Sequence, residues 1–292
     1  MSLGAQIAMQ SRSTDQPTEL PGQSPGQVFA AAFAAAGTDA RVEFPTTITA
    51  RFPGFDRRPR LAVRNLFKVA HAEPPDARYW CERRPVDGAR AVRDEQLRPE
   101  AGFEFHFDRV AIKPTSAWVQ VPPALLEDPA ALASFIDFRL LVRLATAENQ
   151  MLALGRGGLL ETPGIRRLPA GADPVSSLVA ACDHVELMGG SADGVVMSTT
   201  DYYRHLVPRQ DVVASLAGLG IRIARTRMVA PGTAIVGDFF AGATIYDSGR
   251  SSIGFGRPPD GTFARDELAL QGEVRTALAV HLPTHFFVAS LV

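Results

Sequence analysis

"PGTAIVGDFFAGATIYDSGRSSIGF", residues 231 to 255, is the stretch whose reading decides the fold class. It holds three short apolar runs: Ala234-Ile235-Val236, Ala243-Thr244-Ile245-Tyr246 and Ser252-Ile253-Gly254-Phe255. Glycine or proline punctuates each break. That rhythm predicts a β-meander, strand and turn in alternation. It contains no obvious catalytic group, so the sheet reads as scaffold and its use must be sought in the flanks.

Downstream, "DELALQGEVRTALAVHLPTHFFVASLV" (266–292) predicts two strands broken near Pro283. Upstream, the pattern predicts a helix over 174–188, a strand over 195–199, a helix over 200–207 and a strand over 221–229. Before these lies the strongest helical signal, "EDPAALASFIDFRLLVRLATAENQMLALG" (127–155). Asp128 is its expected N-cap and Pro129 its first helical residue. Leu132, Ile136, Leu140, Leu144, Ala147 and Met151 recur at spacings of three and four. Phe135, Phe138, Leu141, Val142 and Ala145 widen that face beyond a surface stripe. About 25 residues would span nearly 40 Å, long enough for a spine. The whole is α+β with mixed, largely antiparallel pairing.

Residues 71–100 are unlike the rest. Thirteen of the thirty are charged, seven acidic and six basic, and four are prolines. Asp87-Gly88 is a hairpin-favouring dipeptide, and "FEFHFDRVAIKP" (103–114) supplies a returning strand. Too few apolar residues are present to make a core, so the expectation is a two-stranded arm, either a solvated β-excursion or, more sharply, one ordered by a neighbouring subunit. Its contact candidates are Arg83, Arg84, Asp87 and Arg90. Further upstream, "QVFAAAFAAAG" puts Val28, Phe29, Ala32, Phe33 and Ala36 on one helical face and stops at Gly37. Phe29 and Phe33 are expected to clamp this short helix to its own or a neighbouring domain. Residues 1–26 are polar and read as a flexible tail without the pattern of a signal peptide.

The 292 residues carry a formal net charge of -1, 46% hydrophobic and 21% charged side chains. Nothing in that balance draws the chain to an anionic membrane or tightly to nucleic acid. Cys81 and Cys182 stand far apart and read as two thiols of a reducing, cytoplasmic compartment. The chemical motifs all fall short. His281 and His285 straddle Pro283 with no accompanying glutamate. "GGSADG" has Asp193 where a nucleophile elbow needs glycine. "GRGGLLETPG" lacks the Lys-Ser/Thr ending of a phosphate loop. Asp201, Tyr202, Tyr203 and His205 are explained by capping and packing. The reading is therefore of no catalytic residue, no cofactor, no metal and no membrane partner.

Taken in order, the segments resemble the family of tailed-phage major capsid proteins and encapsulins, which share the Hong Kong 97-type fold. The likeness runs from about residue 25 to 292. It is carried by "SPGQVFAAAF", "PTTITA" (45–50), "LAVRNLFKVA" (61–70), "KPTSAWVQVPPALLED" (113–128), "ENQMLALGRGG…TPGI" (148–165) and "VVMSTTDYYRHLVPRQD" (195–211). "GIRIARTRMVAPGTAIVGDF" (220–239) and "FARDELALQGEVRTALAVHLPTHF" (263–286) are the most specific. The resemblance implies an N-terminal arm over 27–69, an extended loop over 70–110, and a peripheral domain over 111–157 containing the spine helix. It further implies an axial domain over 158–270 and returning peripheral strands over 271–292. It implies self-assembly of about sixty copies, or a multiple, into an icosahedral shell. Around the five-fold opening it puts the axial tip, with Arg209, Asp211, Ala214 and Ser215 as pore-lining candidates. A short N-terminal arm, a short Asp211–Gly220 connection and an extended loop without lysine favour an encapsulin-like cytoplasmic compartment enclosing a protein cargo. The alternative is the virion capsid of a tailed phage or prophage enclosing DNA.

Overall fold

The computed structural model describes residues 22–55, 57–58, 63–85, 103–155, 157–256 and 268–291. Most of the tail and the Asp87-Gly88 turn lie outside the described residues. In chain order the elements are α1 (Pro25–Ala36), β1 (Arg41–Phe44), β2 (Lys68–His71), β3 (Asp76–Pro85), β4 (Phe103–Ala111) and β5 (Lys113–Val121). Then come α2 (Pro129–Phe135), a π-helical turn (Ile136–Leu140), α3 (Leu141–Leu154), β6 (Arg166–Leu168) and α4 (Pro174–Leu187). They are followed by β7 (Gly194–Met197), α5 (Thr199–Asp201), a second π-helical turn (Tyr202–Leu206), α6 (Gln210–Gly218) and β8 (Arg222–Arg225). The chain closes with β9 (Thr233–Gly237), α7 (Phe239–Gly242), β10 (Ala243–Gly256), β11 (Leu268–Val280) and β12 (Phe286–Ser290).

The expected meander does not form. Its first run, β9, belongs to a sheet ordered β6-β12-β9-β7-β8, whereas the other two runs are one strand, β10, of a sheet ordered β1-β10-β11-β5. Two local causes explain the difference. The carboxylate of Asp238 accepts the Ala241 amide at 3.0 Å, and that of Asp193 accepts the amides of Phe239 and Phe240 at 2.7 and 3.0 Å. These bonds cap α7, and α7 turns the chain from one sheet to the other. At the second break, Gly249 adopts φ +64° inside a register shift between Asp247 and Ser251. A left-handed glycine there makes a bulge rather than a hairpin turn, and the strand continues.

The long helix forms as its sequence dictates, with the Asp128 carboxylate accepting the amides of Ala130 and Ala131 at 2.9 and 3.1 Å. Its apolar face, Leu132, Ile136, Leu140 and Leu144, is fully buried against Val119, Val121, Ile253, Leu270 and Val274 of the first sheet. Each such side chain contributes about 1.5–3 kcal/mol of burial. The second sheet is covered on both faces, which explains its unbroken apolar runs. Val195, Met197, Ala234 and Val236 pack with α4, while Val196, Ile235 and Phe286 meet Leu152 and Phe239 on the other side.

Candidate assembly interface

The hairpin formed by β3 and β4 is a sheet of only two strands. Trp80 and Phe107 are directly opposite one another in its register, ring centroids 3.6 Å apart. Both face solvent, Trp80 at 51% exposure and Phe107 at 64%. Arg78, Asp108 and Arg109 border a shallow depression beside Phe107. Alternation along β3 explains the arrangement: Ala77 and Cys81 point inward and are buried, so Trp80 points out. An aromatic pair in water leaves its apolar area unburied, and a second protein surface would remove that area from water.

The root of the hairpin is fixed to the body. Ala77 and Ile112 pack with Ala277 of β11. The Glu82 amide donates to the His281 carbonyl at 2.8 Å. The imidazole of His281 bridges two elements, with Nδ1 2.9 Å from the Trp80 carbonyl and Nε2 2.8 Å from the Thr244 hydroxyl. A carbonyl only accepts, so Nδ1 carries the proton and Nε2 accepts from Thr244. Burial is the main reason that the His281 pKa lies below its ordinary value. The histidine expected to be structural thus anchors the arm. Of the four charged candidates on the arm, Arg83 and Arg84 lie on β3, while Asp87 and Arg90 lie outside the described residues.

The N-terminal helix sits on the chain's own body. Ser24 and Gln27 form a reciprocal capping box. Gly26 then approaches the long helix so closely that a Cβ would stand 2.2 Å from the Ala133 carbonyl oxygen. Its amide donates to the Asp137 carboxylate at 2.8 Å, and burial, the leading influence, raises the Asp137 pKa. Phe29 is fully buried in the first core, and both Phe29 and Phe33 lie against Phe255, with centroids 5.8 and 5.6 Å away. As an anchor, Phe29 therefore acts inside the subunit.

The short Asp211–Gly220 connection is mostly the helix α6. Leu216 pins it to the second core, and Gly220 at φ +81° lets the chain reverse into β8. Arg209 and Asp211 form an exposed pair at 4.0 Å. Ala214 and Ser215 are exposed, and the Ser215 hydroxyl donates to the Asp211 carbonyl at 2.9 Å. Leu219, just beyond the helix, is 75% exposed.

One polar cluster is wholly internal. The guanidinium of Arg64, arriving on the segment before β2, meets Glu148 of α3 at 2.5 Å and Asp247 at the β10 bulge at 3.1 Å. The Thr47 hydroxyl donates to the same Asp247 carboxylate. Burial works against the Arg64 charge, but the two carboxylates more than offset it and hold the guanidinium pKa above its ordinary value. The cluster ties three distant stretches of chain together. Asp193, at the imperfect nucleophile elbow, is the α7 cap already described. Among the described residues no cluster of three metal-ligating side chains occurs, and no helix is long and apolar enough to cross a membrane.

No family model matches the chain. It is 25% identical over 244 residues to the major capsid protein of Enterobacteria phage HK97, over 77% of this chain and 63% of that protein. The chain thus spans less than two thirds of that relative's length. Among solved structures it is similar to a virus-like particle from Pyrococcus furiosus, with TM-score 0.55 and 14% identity, covering 77% of this chain and 90% of that one. The capsid of a native GTA particle gives 0.55 and 15%, covering 80% and 91%. The chain has the Hong Kong 97-type capsid fold. A structure from Mycobacterium phage Ogopogo, at TM-score 0.54 and 16% identity, covers 78% of this chain and 90% of that one. In this α+β capsid fold an N-terminal arm, an extended loop, a peripheral domain with its spine helix and an axial domain are the recurring parts, as the resemblance implied. What the sequence reading missed was the aromatic pair. Its signal was available: a tryptophan on the outward phase of an otherwise charged strand.

Proposed function

We propose that the chain is the repeating subunit of a closed icosahedral shell, built by self-assembly, with a structural rather than catalytic role. The observation that carries this is the capsid fold joined to a two-stranded arm that presents Trp80 and Phe107, stacked together, at 51% and 64% exposure. In this reading residues 70–110 are the extended loop lying over a neighbour, and 27–69 the N-terminal arm. Residues 111–157 and 271–292 form the peripheral domain, and 158–270 the axial domain. Helix α6 then stands at the symmetry axis, with Arg209, Asp211, Ala214 and Ser215 lining a narrow opening. Arg83, Arg84, Asp87 and Arg90 serve the loop contact around the aromatic pair.

Two contents fit such a shell. The likeness at 25% identity to a phage capsid protein favours a DNA-filled head. The compact tip, a helix of nine residues, favours an encapsulin-like compartment holding protein cargo. Expression of the chain alone is expected to give hollow particles by negative-stain microscopy and sedimentation far beyond that of a 31.3 kDa monomer. A clean monomer or dimer at high concentration and several salt conditions overturns the reading. Nuclease treatment and mass spectrometry of particles from the native source separate DNA from protein contents.

A further inference from the structure

The exposed face of the long helix borders a groove apart from the β3–β4 arm. The groove, of about 350 Å³, runs between this helix and the loops at one end of the second sheet. Its walls are Phe138, Arg139, Val142, Arg143 and Thr146 from the helix, with Thr199, Thr226 and Arg227 opposite. No carboxylate lines it. Arg139, Arg143 and Arg227 make no ion pair or hydrogen bond among the described residues. Arg139 and Arg143 are one turn apart, and like charges at that spacing destabilise a helix unless an anion lies between them.

The groove also has an aromatic wall. Phe138 is 41% exposed, and the Arg58 guanidinium sits 5.9 Å over its ring. Phe138 and Arg139 project from the π-helical turn Ile136–Leu140, and Thr199 opens the short helix leading into the second such turn. Among the described residues these are the two π turns, and the first supplies Phe138 and Arg139 to the groove wall; π turns often occur where a helix serves a ligand. Guanidiniums in fork geometry match phosphate oxygens, and hydroxyls add neutral donors. An exposed ring beside them suits an unpaired base.

We propose that this groove binds the phosphodiester backbone of a nucleic acid, with an unpaired base against Phe138. The net charge of -1 conceals the site because it averages a local cationic groove with acids elsewhere. The inference does not depend on the shell reading: a subunit that fails to assemble can still bind.

The test is fluorescence anisotropy of a labelled 20-nucleotide single strand with the full chain. The duplex, inorganic phosphate and polyglutamate serve as competitors, and assembly is followed in parallel by sedimentation. The triple variant R139Q/R143Q/R227Q is expected to bind at least about tenfold more weakly, with a salt slope shallower by about two, while assembling normally. F138A should weaken the single strand by roughly tenfold and the duplex little. Arg→Lys at the three positions should keep the salt slope but lose affinity, showing that the fold survives and fork geometry matters. Three results overturn the proposal: wild-type binding by the triple variant; competition by polyglutamate as strong as by the single strand; and loss of assembly in the triple variant, which would assign the groove to a neighbouring copy.

Discussion

The Arg64–Glu148–Asp247 cluster and the Trp80–Phe107 pair invert the usual placement of charge and aromatic surface. The cluster buries a guanidinium and two carboxyl groups where a protein normally buries hydrocarbon. The hairpin holds two large rings in water where a charged strand normally shows polar groups. The difference separates two tasks. Charges that satisfy one another inside fix a unique joint between the arm segment, α3 and β10. Rings exposed outside leave apolar area in water that a second surface would remove.

The joint should give the largest effect. Glu148→Ala leaves the Arg64 guanidinium buried beside a single carboxylate, and such truncations cost about 3–5 kcal/mol. Denaturant unfolding of unassembled subunits measures this; a loss under about 1 kcal/mol would mean that the joint is not structural. The double change Trp80→Ala, Phe107→Ala should do the reverse. Subunit stability should move little, because neither ring is in the core, while shells lose about 1.5–3 kcal/mol of burial per ring and contact. Dilution-induced disassembly reads that directly, and shells of unchanged stability would leave the pair as decoration.

The smallest effect concerns pH. The His281 pKa is lowered in the folded chain, chiefly by burial, so the unfolded chain binds the extra proton first as pH falls. Its contribution to stability is therefore complete above the ordinary histidine value near about 6.5 and declines as pH drops toward the folded value. Hydrogen exchange at the root of β3 should speed up in that window, and His281→Gln should flatten the response. An identical pH profile in the variant would show that another group governs it.

Legibility followed the range of the interactions involved. The long helix was plain because its cap, Asp128-Pro129, and its three-and-four spacing are local. The π turn at Ile136–Leu140 was hidden because one added residue barely disturbs an already wide apolar face. The sheet assignment failed because α7 depends on Asp193, 46 residues before Phe239 in the chain. Helix α6 was not assigned because small residues and a glycine give it little apolar periodicity, and of its residues Leu216 alone is buried in a core. Trp80 was passed over because the density of arginines around it suggested a contact made by charge.

A two-stranded hairpin also has two outer edges, and an edge is where a further strand can add. Part of one edge is occupied by the bond from the Glu82 amide to His281, and the arginines at 78 and 109 discourage stacking in a wrong register. The rest waits. In the proposed shell a newly made subunit is therefore on a clock: edges that a neighbour would cover when assembly is prompt are also templates for aggregation when subunits accumulate faster than they find their places.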